Sequence, residues 1–203
     1  MIIAVDGPAA SGKGTIARAL AAHYGLPHLD TGLLYRAVGM GTARAGGDPD
    51  NEADAMAACR FDEALLADPE LRSEAAGALA SRVSRHPGVR ASLLAYQQDF
   101  ARQPGGAVLD GRDIGTVIAP EADAKLFVTA SAEVRAERRH REDAATSYDD
   151  ILADIRARDE RDSGRSAAPL RQAEDADLLD TTNLTIGAAV QRAIALVEAR
   201  IRR

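Results

Sequence analysis

Nine residues near the amino terminus constrain this chain more than any other stretch: Gly7-Pro8-Ala9-Ala10-Ser11-Gly12-Lys13-Gly14-Thr15. An apolar run, Ile2-Ile3-Ala4-Val5, leads in, and a segment with Ile16, Leu20 and Tyr24 on one helical side leads out. Strand, glycine-rich loop and helix, in that order, form the context in which a backbone can wrap a phosphate. Glycines let several N–H groups converge on one anion. The helix N-terminus adds a partial positive charge and Lys13 a full one. The spacing matches G-x-x-x-x-G-K-[ST] with one departure: Gly14 follows the lysine, and the hydroxyl comes one place later at Thr15.

Further strand signals lie at Ala107-Val108-Leu109-Asp110, 124–128 and 177–181, with a short extended segment at 26–30, and helical patterns separate them. Gly25 reads as a helix C-cap and Thr31 as the cap of a helix running to about Ala45. From 51 to 103 the chain reads as helix after helix, the last one initiated by Pro87. Helices are expected from Ser131 to about Arg141 and from Tyr148 to about Arg161, joined by a polar loop. A final helix would carry Ile186, Val190, Ile194, Val197 and Ile201 on one side.

Strands alternating with helices imply an α/β fold: a P-loop NTPase-type parallel sheet flanked by helices. The expected division is a core of 1–45, 104–130 and 174–203, a helical insertion at about 46–103 and a lid region at about 131–173. Ligands of such sheets bind beyond the carboxyl ends of the strands, where the loop, Asp30 and Asp110 would emerge.

Composition narrows the partners. Among 203 residues aromatics make up only 3%, without tryptophan, so base-stacking nucleic-acid platforms are not expected. The net charge of −6 argues against binding polyanions generally, so an anion site must be a local concentration of arginine. The single cysteine, Cys59, excludes an intramolecular disulfide and reads as a buried, inert thiol. No membrane span or signal-peptide pattern is seen, which implies a cytoplasmic protein. The four histidines show no ligand spacing, so no metal site on protein ligands is expected.

Three further groups carry chemistry. In Asp30-Thr31-Gly32-Leu33-Leu34-Tyr35-Arg36, an arginine at the start of a helix facing the loop can hold an acceptor phosphate; a capped helix with a surface arginine would read the same way. Asp110-Gly111-Arg112-Asp113 places an acidic residue after an apolar strand, able to organise Mg²⁺ through water, or else forms a solvated turn. In Arg158-Asp159-Glu160-Arg161-Asp162-Ser163-Gly164-Arg165, the stripe begun by Tyr148, Ile151, Leu152 and Ile155 continues into Asp159 and Asp162, with Arg158 at its margin. Charges on an inward face point to a polar crevice. Arg135, Arg138 and Arg139 share a face of the preceding helix by i, i+3, i+4 spacing. They read either as lid arginines closing on a phosphoryl group or as solubilising charges.

Taken as a set and in this order, these motifs resemble the bacterial cytidylate kinases almost end to end, and the Gly-Lys-Gly-Thr ending resembles nucleoside monophosphate kinases more than GTPases. The resemblance implies transfer of the ATP γ-phosphoryl group to CMP or dCMP with Mg²⁺, and a monomer acting on small nucleotides, not on nucleic acid or membrane. It implies an ATP site at Gly7 to Thr15 with Arg135, Arg138 and Arg139. Ser81, Arg90, Asp113 and Arg165 would bind cytosine, and Arg158 and Asp162 the sugar. Thr31 stands where serine is frequent in the acceptor-binding motif, and Tyr35, Arg36 and Arg112 would frame the acceptor phosphate. Lys13, Asp110, Arg112 and Arg158 would serve catalysis, with Mg²⁺ near Thr15 and Asp110. The segment from Arg60 to Leu71 is shorter than in many relatives, which carry part of a small β insert there. Competing readings are another P-loop small-molecule kinase, with UMP, AMP or shikimate as acceptor, and a nucleotide-binding regulatory switch. The latter is disfavoured by the absence of an Asn-Lys-x-Asp motif.

Overall fold

The computed structural model describes residues 1–142 and 146–202. Five strands, β1 (Ile2–Asp6), β2 (His28–Asp30), β3 (Ala107–Gly111), β4 (Ala124–Thr129) and β5 (Asp177–Asp180), form one parallel sheet in the order β2-β3-β1-β4-β5. Eight helices surround it: α1 (Lys13–Tyr24), α2 (Thr31–Arg44), α3 (Glu52–Ala57), α4 (Glu74–Val83), α5 (Pro87–Ala101), α6 (Ala132–Glu142), α7 (Tyr148–Gly164) and α8 (Ile186–Ile201). This is the expected parallel α/β architecture. The polar connection expected between α6 and α7 falls partly on 143–145, outside the described residues.

Strand alternation divides the core into layers. Ile3 and Val5 on β1 pack with Ile16 and Leu20 of α1 and with Ala193 and Val197 of α8. Ala4, between them, faces Leu109, Ile114 and Ala101 on the other side. The helices between β2 and β3 have their own apolar clusters, built on Leu34, Val38, Val83 and Val89 and on Ala37, Met40 and Leu71. A smaller cluster of Ala136, Ile151 and Ile155 joins α6 to α7.

Four local features differ from the sequence expectation or lie outside it. Residues 63–67 and 69–72 form two 3₁₀ turns, capped by the side chains of Asp62 and Asp68, within the stretch expected as a succession of helices. Residues 114–118 wind into a π-helical turn closed by the Ala119 N–H on the Ile114 carbonyl at 2.7 Å. On α8 the buried face runs through Ala189, Ala193 and Val197, while Ile186 and Ile201 are exposed; alanines let the helix approach the sheet closely. Cys59 is half-buried, and burial pushes its thiol above the usual range.

Candidate active site

Sheet order reverses about β1, so the crevice opens beyond its carboxyl end. Register brings three carboxylates to that edge, because Asp30 pairs with Asp110 and Asp6 with Gly111. The loop after β1 needs its glycines. Gly7 has φ of 155°, and a Cβ there would lie 2.0 Å from the Val128 carbonyl oxygen. Gly12 adopts φ of 88° as the N-cap of α1, and no side chain caps that end of the helix. The first N–H groups of α1 therefore face the cavity with the positive end of the helix dipole behind them.

Two cavities meet at this loop. One, of ≈ 490 Å³, lies between residues 10–15, Arg18, Arg138, Arg139 and Arg141 on one side and Thr181 with the start of α8 on the other. The second, of ≈ 310 Å³, is enclosed by the loop, α2, α4, the end of β3 and α7. Ala10, Lys13, Gly14, Arg139 and Glu142 line both. The second cavity carries eight basic and five acidic side chains, an excess of three positive charges in a protein of net charge −6. Such a focused field favours an anionic ligand. Crowding shifts the protonation equilibria of the cations here. Burial, reinforced by Arg112, pulls the Lys13 ammonium down to about 8, and burial with Arg158 nearby pulls Arg36 down to about 10.

Besides Ala10, Lys13, Gly14 and Arg139, which line both cavities, the expected site residues fall into three sets. Thr31, Tyr35, Arg36, Ser81, Arg90, Asp110, Arg112, Asp113, Arg158, Asp162 and Arg165 all line the second cavity. Asp113 sits between Arg90 and Arg165, with Arg165 Nη2 at 3.3 Å, and Arg90 also lies over the Tyr35 ring. Asp162 accepts from Arg112 Nε at 2.8 Å and from Ser81 Oγ at 3.2 Å. Burial opposes ionisation of Asp162, but Arg112, Arg165 and Arg158 outweigh it and hold its carboxyl below the usual carboxylate range. Arg36 Nη1 donates to the Leu71 and Ser73 carbonyls at 2.7 and 2.8 Å, so the short 3₁₀ segment fixes this arginine. Thr31 Oγ1 donates to the Asp110 carbonyl, tying α2 to β3.

The second set, Ser11, Gly12, Thr15 and Arg138, lines the first cavity, and Ala9 lines the second. The buried Ser11 hydroxyl has no hydrogen-bond partner among the described residues. The third set lines neither cavity. Gly7 and Pro8 support the loop from behind, with the Pro8 carbonyl 3.5 Å from Lys13 Nζ. Arg135 is buried against protein, donating to the Ala9 and Ala130 carbonyls and pairing with Asp159 at 2.6 Å. Arg135, Arg138 and Arg139 of α6 therefore do not act as one face. Arg135 braces the loop, Arg138 binds Thr181, and Arg139 reaches Glu74 on α4. On α7, Arg158 is buried together with Asp162, whereas Asp159 is turned aside to Arg135.

Several residues lining the cavities or touching their linings were not singled out from the sequence. Thr181 donates to the Ser11 carbonyl at 3.0 Å and follows β5 at the same sheet edge, a position the strand-end rule would flag. His28 Nε2 lies 2.7 Å from Asp110 Oδ1, a contact across neighbouring strands that no local spacing reveals. Arg72 and Ser84 join the second cavity from the helical insertion. Among the described residues no cluster of three or more His, Cys, Asp and Glu could hold a metal, and no helix is long and apolar enough to cross a membrane.

A parallel sheet with a phosphate-binding loop at its switch point, opening onto two adjoining cavities, defines a P-loop nucleotide-binding protein. The comparisons with known proteins sharpen this. The family model described as cytidylate kinase matches residues 3–199. A cytidylate kinase of Xanthobacter autotrophicus is 63% identical over 98% of both chains, and one of Caulobacter sp. is 58% identical over 97% of this chain and 94% of its own. The chain belongs to the cytidylate kinase family. A solved structure of an uncharacterized protein from Eubacterium ventriosum, 13% identical, shares the fold with a TM-score of 0.61 over 98% of this chain and 99% of its own.

Proposed function

We infer that this protein transfers the γ-phosphoryl group of ATP to CMP or dCMP. The observation that carries this reading is the pair of cavities meeting at Lys13, Gly14 and Arg139, one on the phosphate loop and one rich in arginine. ATP would occupy the first, its phosphates on the N–H groups of residues 10–15, with Arg138 alongside. The acceptor would occupy the second. Asp113 and Arg165, with Ser81 and Arg90, offer the mixed donors and acceptors that a cytosine edge requires. Arg36, Arg112 and Arg158 offer cations for its phosphate. Arg135 acts through the Ala9 carbonyl as a brace of the loop, not as a contact to ATP.

Mg²⁺ fits the donor set. Asp110 is a single buried carboxylate with Oδ1 on His28, and its Oδ2 lies 3.7 Å from where a Cβ on Gly14 would be. Such a site suits an ion that keeps phosphate and water ligands, with Asp110 and Thr15 at hand. Bound with ATP, the ion would neutralise phosphate charge. The acceptor phosphate oxygen is anionic near neutral pH, so attack on the γ-phosphorus needs no strong base from the protein. The chain supplies alignment, exclusion of water and positive charge from Lys13 and the arginines. α6 and α7, tied together by the Ala136, Ile151 and Ile155 cluster, would form the lid and the helices between β2 and β3 the acceptor-binding unit.

A coupled ADP-release assay over CMP, dCMP, UMP, AMP and shikimate tests the assignment, with CMP and dCMP expected to turn over best. Lys13→Ala is expected to lower kcat by about 10²- to 10³-fold, as for loss of one preorganised charge-stabilising donor. A folded Lys13→Ala variant with near-full turnover refutes the mechanism.

A further inference from the structure

Glu74 opens α4 and lies outside the lining of both cavities, yet it contacts two arginines that line them. Its Oε1 is 2.9 Å from Arg158 Nη1, and its Oε2 pairs closely with Arg139 Nη2. The preceding residue, Ser73, offers its carbonyl to Arg36. One turn at the start of α4 thus gathers guanidinium groups from α2, α6 and α7. These cations oppose one another: burial first, then Arg112 and Arg139, pull Arg158 below the ordinary arginine range. Without substrate, some anion must offset that repulsion. Asp154 contributes more remotely, at 3.6 Å from Arg158.

We propose that Glu74 is an internal counterion that holds Arg139 and Arg158 against α4 and lowers the site's affinity for substrate phosphate. Coulomb's law gives the sign, since a carboxylate beside two cations subtracts from the positive potential a phosphate would meet. The guanidinium groups are also engaged: Arg158 spends Nη1 on Glu74 and Nη2 on the Gly77 carbonyl. Glu74 is a positioning residue, acting on substrate only through the arginines. Its removal should cost the empty protein stability while strengthening anion binding, a pair of opposite effects that a merely structural glutamate would not produce.

The inference rests on the acceptor site proposed above, and the test separates the two. Partly exposed ion pairs each shift an equilibrium by a factor of about two to five, so neutralising Glu74, which breaks two of them, should change affinity by about four- to 25-fold. In the full chain, E74Q is expected to lower KM for CMP and the dissociation constant of inorganic phosphate by that factor. Tm without ligand should fall, and the increase in Tm on adding CMP should grow. E74D keeps the charge on a shorter stem that cannot span both arginines, and should fall between E74Q and wild type. Unchanged or weaker CMP and phosphate binding in folded E74Q overturns the proposal. If wild type shows no turnover of CMP, the functional reading fails instead. Calorimetric titration with inorganic phosphate alone then still decides the role of Glu74, since tightening in E74Q supports it and no tightening overturns it.

Discussion

Gly77 offers the sharpest test of how the arginine cluster is held. It lies buried within α4, where alanine is normally preferred by up to about 1 kcal/mol in a helix interior. A Cβ built there would lie 3.0 Å from Nη2 of both Arg36 and Arg158, and 3.2 Å from Arg158 Nη1. Both arginines are tethered, so any retreat strains the bonds that hold them. Arg36 is fixed on the Leu71 and Ser73 carbonyls, and Arg158 on Glu74 and the Gly77 carbonyl. Gly77→Ala should therefore keep the protein folded, helix propensity offsetting the crowding, while moving both guanidinium groups by a few tenths of an ångström. A 1 Å misplacement can cost about 100-fold, so this smaller shift should lower kcat/KM for CMP about tenfold, about 1.4 kcal/mol of transition-state stabilisation. KM for ATP should change less than about twofold, because Gly77 lines only the second cavity, the one proposed for the acceptor. Steady-state kinetics with each substrate varied in turn, beside a thermal melt, reads out both quantities. A folded Gly77→Ala enzyme with unchanged kcat/KM for CMP would refute the reasoning, as would an equal loss for both substrates.

Two further outcomes follow from the same geometry. Arg165→Ala removes a guanidinium 3.3 Å from Asp113 and should raise KM for CMP more than KM for ATP; equal effects would overturn the proposal that Arg165 helps bind the base. Asp6 is buried and, despite accepting the N–H groups of Ile114 and Gly115 at 2.8 Å, is pushed by burial up to about 7. A carboxyl raised in the folded state binds its proton more tightly there than in the unfolded chain. Its contribution to stability is thus full below about pH 4 and lost as pH rises towards 7. Denaturant melts across that window should show wild type losing stability relative to Asp6→Asn, and parallel curves for the two would contradict the shift.

The chain itself announces the phosphate loop, the alternation of strand and helix, and the inward phase of the charges on α7, because each depends on near neighbours. Glycine spacing around Lys13, the apolar run before it and the 3.6-residue stripe from Tyr148 onward are local patterns, and local backbone preferences produce them. The Arg135, Arg138 and Arg139 triplet shows where such patterns stop. Its spacing implied a common face, but each guanidinium found a different partner, on the phosphate loop and α7, at Thr181 and at Glu74. The π-helical turn at 114–118 depends likewise on Asp6, which accepts two of its N–H groups from more than 100 residues away. Ion pairs such as Arg112 with Asp162 and contacts such as His28 with Asp110 join residues 50 and 82 positions apart. A sequence motif can nominate the charges, but their energies depend on distance and burial, and only the packing of α2, α4, α6 and α7 around the end of the sheet sets those. The phosphate loop was therefore legible from its own nine residues, while the arginine-lined cavity beside it exists only in the folded chain.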